Sequence, residues 1–250
     1  MRRHFAVLAA LAFSGFASAD PVAWDVTGQN QFGSLDLSNG NFAPITTFPF
    51  IAAGLGVDGG SVYTAVEGGL GLYSVSQTNG ALTLVGNSSI SYFAFGSTAN
   101  GLYMLDTTGS LWTINASTGA ATRIGSTLLD VVSGTPVGLS AGGDTLYVAL
   151  GPSIYRINTA TASSTFIGTA PTDFGALVNV AGTIYGTSIV NSLQIYNFNP
   201  TTGISAFATG YHSGDYSYGL APVVPEPSSF MLLGLAGLLF GGYALKRKLV

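Results

Sequence analysis

Short runs in which apolar and polar residues alternate recur along the chain between residues 20 and 224. The segment Leu111–Gly119 shows the pattern most clearly: an alternating run is followed by Asn, Ser, Thr and Gly. Val, Ile, Leu, Tyr and Thr fill the runs, which is the composition of half-buried strands. Asn-Gly and Thr-Gly pairs between runs favour tight hairpins, because these residues tolerate positive φ. The pattern predicts an all-β domain of short antiparallel strands.

One nine-residue pattern occurs five times in this region. Its copies are Phe32–Gly40, Leu72–Gly80, Leu111–Gly119, Ile154–Ala162 and Ile195–Gly203. The small residues that end the copies lie 40, 39, 43 and 41 residues apart. A period near 40 residues with room for four short strands is typical of β-propellers. We therefore predict a five-bladed β-propeller over residues 20–223. A parallel β-helix is the rival fold, but its repeats are shorter and lack hairpin turns.

Four complete repeats leave one segment at each end of the domain. The leftover segments are Pro21–Thr46 and Tyr216–Pro222. The first has the pattern of the outer strands of a blade, and the second matches the innermost strand. Together they would complete the fifth blade and leave no open sheet edge between the first and last blades. In its period the region resembles the WD40-like and quinoprotein-like propellers.

The last 27 residues depart from the repeat. A short polar motif comes first, an apolar run predicts a transmembrane helix at residues 229–245, and a basic cluster follows. The motif is Val224, Pro225, Glu226 and Pro227, and the cluster is Lys246, Arg247 and Lys248. A buried C-terminal helix is the alternative, but four glycines in the run argue against it. This layout resembles the PEP-CTERM sorting signal, which implies processing by an exosortase-type enzyme.

The N-terminus predicts a secretory signal peptide at residues 1–19. Arg2 and Arg3 precede an apolar run, and Ala17-Ser18-Ala19 forms a small-residue cleavage site. An N-terminal membrane anchor is the alternative. With the C-terminal signal, this predicts an exported precursor anchored in the inner membrane, and then a cell-surface or extracellular protein.

Charge is scarce in the region between these two signals. Of the chain's seven basic residues only Arg123 and Arg156 remain there, against ten acidic residues, so the formal net charge is −8. Such a surface repels phosphate backbones, and we expect no nucleic-acid partner. The chain has no cysteine, which excludes disulfides and thiolate metal sites.

Candidate ligand-binding residues lie on loops that precede the first strands of the predicted blades. Asp130, Asp173 and Asp215 would lie at one face of the ring, where carboxylates can bind calcium or act as a glycosidase acid pair. His212 and Tyr216 flank Asp215 in the segment richest in functional residue types. Solvation of ordinary polar loops is the preferred explanation of these residues. No catalytic motif accompanies His212, so we predict a protein without enzymatic activity or a cofactor.

The function expected from the sequence is that of an exported binding or structural module. Association with surface polysaccharide is what the resemblance to the sorted proteins implies, since they occur in bacteria that produce exopolysaccharide. The alternative is a carbohydrate-active enzyme that uses the ring-face carboxylates. An ice-binding surface fits poorly, because the threonines form no regular array.

The sorting signal predicts a processed tail. Mass spectrometry of the surface-extracted protein should find a C-terminus near Pro227 and an N-terminus near Asp20. Intact Lys246–Val250 on the mature surface protein would contradict processing.

Overall fold

The computed structural model describes residues 21–131, 137–189 and 193–223, and the regular structure in these residues is β-strand. The predicted all-β class is therefore confirmed. Both terminal signals, including the proposed helix 229–245, lie outside the described residues. In chain order the strands are β1 (Val22–Thr27), β2 (Gln31–Asp36), β3 (Phe42–Thr47), β4 (Ala52–Asp58), β5 (Ser61–Val66), β6 (Gly71–Val75), β7 (Leu82–Asn87), β8 (Ala94–Thr98), β9 (Gly101–Leu105), β10 (Ser110–Ile114), β11 (Ala121–Ser126), β12 (Val137–Ala141), β13 (Leu146–Leu150), β14 (Ser153–Ile157), β15 (Ser164–Thr169), β16 (Phe174–Val180), β17 (Thr183–Ser188), β18 (Gln194–Asn199), β19 (Ile204–Gly210) and β20 (Ser217–Pro222).

Antiparallel pairing groups the described strands into five units of four strands each. Unit 1 is β20-β1-β2-β3, unit 2 is β4 to β7, unit 3 is β8 to β11, unit 4 is β12 to β15, and unit 5 is β16 to β19. Unit 1 joins the two ends of the described chain, because Asp25 of β1 is paired with Leu220 of β20. Parallel pairing links the first strands of units 2 and 3 and those of units 4 and 5. Consecutive hairpins within units 2 to 5, and from β1 to β3 in unit 1, follow from the tight turns that the sequence provides.

The first strands of the units contact one another in a cycle, in the order β20, β4, β8, β12, β16 and back to β20. Each carries a glycine where the neighbouring first strand comes closest: Gly219, Gly54, Gly96, Gly138 and Gly175. At Gly54 an added Cβ would lie 2.2 Å from the carbonyl oxygen of Phe95. The backbones of the first strands are therefore too close for a side chain at these points, and the centre of the assembly is narrow.

The hydrophobic core lies between successive units. Trp24, Val26 and Phe32 of unit 1 pack with Leu55 and other residues of unit 2, and stacked rings extend this layer. Equivalent buried clusters lie between units 2 and 3, units 3 and 4, units 4 and 5, and units 5 and 1. A single four-stranded sheet has two apolar faces that it cannot cover alone, so each unit is stable only against its neighbours.

The small residue that ends each sequence repeat has a defined role in the structure. It lies in the turn between the third and fourth strands and packs against the fourth strand of the preceding unit. The contacts are Gly40 with Gly210, Gly80 with Thr46, Gly119 with Gly86, Ala162 with Gly125, and Gly203 with Gly168. The first contact joins unit 1 to unit 5, and the amide of His212 donates a 2.9 Å hydrogen bond to the Gly40 carbonyl beside it.

Gly40→Ala should destabilise the whole domain. Gly40 has a φ of +76°, and a Cβ there would lie 1.7 Å from the Gly210 carbonyl oxygen. We expect a loss of about 3 kcal/mol or more, from the left-handed backbone and the overpacked contact together. Gly182→Ala is the matched control, because Gly182 has a φ of +85° but nothing within 4 Å of an added Cβ. Thermal unfolding followed by circular dichroism compares the two, and equal melting temperatures would contradict the contact.

Candidate functional site

The acidic residues singled out in the sequence lie at one end of the units. We define the upper end as the end at which the first strand of each unit begins. Asp130, Asp173 and Asp215 lie on the loops that lead into β12, β16 and β20, so all three belong to this end. Asp130 is exposed, whereas Asp173 and Asp215 are half-buried. The described residues contain no group of three or more acidic or histidine side chains arranged to hold a metal ion.

The loop between β19 and β20 connects unit 5 to unit 1 through backbone hydrogen bonds. The amide of Tyr211 donates to the Leu193 carbonyl at 2.7 Å, and the amide of Gly28 donates to the Tyr216 carbonyl at 2.8 Å. His212 is exposed, and its side chain has no described partner. Within the loop, the Ser213 hydroxyl contacts the carbonyl of Asp215, whose amide donates back to Ser213 Oγ at 3.0 Å. The loop therefore fixes the point at which the two ends of the described residues meet.

Asp25 accepts hydrogen bonds from this loop and from β20. The sequence pattern did not identify it as a candidate site residue. Its side chain is 0 % exposed. Strand register places it at the same position as Thr64, Met104, Val148 and Gly186 in the other four units, each paired with the equivalent residue of a first strand. Unit 1 alone therefore has an ionisable group at this buried position. A carboxylate within the apolar strand Val22–Thr27, directly after Trp24, was the available signal.

Two hydroxyl groups from the C-terminal part of the domain bind the Asp25 carboxyl group. Ser217 Oγ donates to Oδ1 at 2.6 Å, and the Tyr211 hydroxyl donates to Oδ2. Burial raises the pKa of Asp25 to about 7, although the hydrogen bonds from Ser217 and Tyr211 oppose this rise. Burial also raises the pKa of Tyr211, and the nearby Asp25 charge adds to the rise. Tyr211 therefore stays protonated at neutral pH and remains a hydrogen-bond donor.

Asp215 contributes charge next to this cluster. Its Oδ2 is buried without a hydrogen-bond partner among the described residues, and it packs over Gly28 beside the Tyr216 ring. Its negative charge adds to the rise in the pKa of Asp25. The rings of Tyr216 and Tyr218 are in contact, with centroids 5.3 Å apart and their planes tilted by 60°. Burial raises the pKa of Glu67, which lies on the β5–β6 loop at the same end.

The geometry assigns a structural role to Asp25, the carboxyl group whose pKa is raised most among the described residues. Asp25 has no exposed surface, so no dissolved substrate can reach it, and both of its carboxyl oxygens have hydroxyl partners. Tyr211 and Ser217 lie 186 and 192 residues away in the chain, so the three side chains meet only when unit 1 is complete. The cluster therefore holds β20 in register against β1.

Residues 223–248 match the model of the PEP-CTERM protein-sorting motif. The chain carries a PEP-CTERM sorting motif. The PEP-CTERM motif marks exported proteins for an exosortase-type sorting enzyme, and it implies a membrane-anchored precursor. Among the residues that the structure describes, no helix is long and apolar enough to cross a membrane. No curated protein sequence matches the chain.

Solved structures similar to this chain are β-propeller-like. A chain in the crystal structure of a nidogen/laminin complex superposes with a TM-score of 0.56 at 12 % identity, covering 82 % of this chain and 98 % of that one. Regucalcin, a calcium-binding protein from Agrobacterium tumefaciens, gives a TM-score of 0.49 at 16 % identity, covering 77 % of this chain and 71 % of that one. At such identities the first likeness shows the fold alone.

The buried carboxyl group predicts a stability that falls as pH rises. The pKa of Asp25 is about 7 in the folded state against 3.8 as its ordinary value. Its contribution is therefore fully present below pH 4 and is lost as pH rises through 7, by about 4 kcal/mol in total. Asp25→Asn keeps the shape of the side chain and removes the titration.

Denaturant unfolding between pH 4 and pH 9 compares the two proteins. Other titrating groups, including Asp36 and Asp106 with their lowered pKa values, are common to both and cancel in the difference. The wild-type protein should lose stability relative to Asp25→Asn as pH rises. Parallel pH profiles would contradict a raised pKa at Asp25.

Proposed function

We propose that this protein is exported, sorted by an exosortase-type enzyme and displayed at the cell surface or in the extracellular matrix. The observation that carries the proposal is the sorting motif at residues 223–248. In this scheme residues 1–19 are a cleaved signal peptide, and residues 229–245 hold the precursor in the membrane until the tail is processed. The basic cluster after the apolar run would remain on the cytoplasmic side.

In this proposal the domain is a closed five-bladed β-propeller that acts as a binding or structural module. Two features support a closed ring. The first strands contact one another in a complete cycle, and Gly40 of unit 1 packs on Gly210 of unit 5 as the other turn residues pack on their preceding units. Propellers commonly present ligand-binding surfaces at the two ends of a rigid ring, on loops whose sequence is free to vary.

The proposed partner is a surface polysaccharide. The domain offers few charges and many Ser, Thr and Asn side chains, which form hydrogen bonds with sugar hydroxyls without a large desolvation penalty. We also propose that the domain is not a hydrolase. The only buried, strongly perturbed carboxyl group in the described residues is engaged in closure, and His212 has no described side-chain partner that would activate it.

Binding without turnover is the expected behaviour. The purified full-length protein, in detergent, should bind the polysaccharide fraction extracted from the producing cells and release no reducing ends from it. His212→Ala should bind equally well. Turnover of a polysaccharide, ester or lactone that His212→Ala abolishes would overturn the proposal, and failure to bind the extract would remove the polysaccharide partner.

A further inference from the structure

A surface groove lies at the lower end of unit 4, opposite to the Asp25 cluster. Its volume is about 320 Å³. The β12–β13 turn, β14, the β14–β15 turn and β15 form its walls. The residues that matter for its chemistry are Asp144, Thr145, Arg156, Asn158, Thr159 and Thr165. Seven of the eight residues that line the groove have polar or charged side chains, and the eighth, Ile157, is only 2 % exposed.

Arg156 distinguishes this unit from the other four. Strand register pairs Arg156 with Tyr147, and the equivalent pairs elsewhere contain neutral residues at the position of the arginine. Those residues are Ser34, Ser74, Thr113 and Asn197. A cation at one of five equivalent positions is not required by the repeat, because four units form the same strand pair without it.

The guanidinium group of Arg156 is available to a ligand. Arg156 is exposed and makes no hydrogen bond or ion pair with the residues that the structure describes. Arg123, the other arginine of the described residues, behaves differently: its Nη2 donates to Ser110 Oγ at 3.3 Å. Five N–H donors in a planar fork match the geometry of a carboxylate, so Arg156 favours a ligand with that group.

The surrounding groups favour a ligand that also carries hydroxyls. Asn158 Oδ1 accepts the amides of Ala160 at 2.9 Å and Thr161 at 3.2 Å, so the carbonyl side of the amide is occupied while its NH₂ group keeps two donors. Thr159 and Thr165 add hydroxyls, and Asp144 can accept hydrogen bonds from a ligand. Sugar hydroxyls both donate and accept, which fits this mixed set.

We propose that the groove binds a uronate residue of an acidic polysaccharide, with its carboxylate on Arg156 and its hydroxyls on the groove walls. This inference rests on the proposed function, because it names the sugar class that the module recognises. An acidic peptide fits less well, because Ile157, the apolar residue that lines the groove, is only 2 % exposed and gives a peptide side chain little apolar surface to bury.

Isothermal titration calorimetry of the full-length protein with trigalacturonic acid tests the proposal. Galactotriose is the neutral counterpart, and a short oligoglutamate is the acidic peptide. We expect trigalacturonic acid to bind more tightly than both. Arg156→Ala should weaken its binding by about tenfold or more, because a charge-assisted hydrogen-bonded pair is lost. Arg123→Ala makes the same change in net charge away from the groove and should leave the affinity within about twofold of wild type.

Each outcome has one consequence. Unchanged affinity in Arg156→Ala, with a wild-type melting temperature, would overturn the site. Equal binding of galactotriose would overturn carboxylate recognition, and equal binding of oligoglutamate would overturn the sugar class. Binding of the cell-derived polysaccharide extract by both wild type and Arg156→Ala would reject this groove while leaving the proposed function in place. Absence of any binding to the extract by wild type would reject the function itself.

Discussion

Close backbone contact between neighbouring sheets is the constraint on which the rest of this structure depends. Around the centre, each first strand carries a glycine where the next first strand approaches, and an added Cβ at Gly54 would lie 2.2 Å from a carbonyl oxygen. At the periphery, the small turn residue of each unit packs on the outer strand of the preceding unit. Because interiors pack at crystal-like density, these contacts set the distance between sheets and therefore the width of every hydrophobic layer between them. This close contact explains why each sequence repeat ends in a small residue.

Unit 1 differs from the other units because its four strands are not consecutive in the sequence. Its four strands come from opposite ends of the described chain, so no short hairpin connects β20 to β1, and loop closure has to be stabilised by contacts. At the position where the other units place Thr, Met, Val or Gly, it places Asp25 between Tyr211 and Ser217. A buried carboxyl group is a poor source of stability, since burial favours its neutral form. Its directional hydrogen bonds specify one register, because a shifted β20 would leave three buried polar groups unpaired.

The upper and lower ends of the domain differ in the polar and charged groups that they carry. At the upper end, Tyr211 and Ser217 bind the Asp25 carboxyl group where β1 meets β20, and burial there raises the pKa of Asp25 and of Tyr211. At the lower end, the turns between the third and fourth strands are four to six residues long in every unit, so Arg156 gives unit 4 a distinct surface. The buried cluster of Asp25, Tyr211 and Ser217 lies where β1 meets β20, whereas the exposed guanidinium group of Arg156 lies at the opposite end of the domain.

The sequence by itself determined the all-β class, the positions of most strands and the sorting motif, because alternation, turn residues and a contiguous motif are local properties of the chain. The sequence also identified Asp215 and Tyr216 as candidate ligand-binding residues, because they lie together in one loop. Only the tertiary structure decided that Asp25 joins Tyr211 and Ser217, 186 and 192 residues away, and that Arg156 lines a groove without a partner among the described residues. The physical reason is that a buried hydrogen bond between distant segments leaves no periodic trace in either of them. The same repeat position holds Asp, Thr, Met, Val or Gly, and packing between sheets decides what each of them contacts.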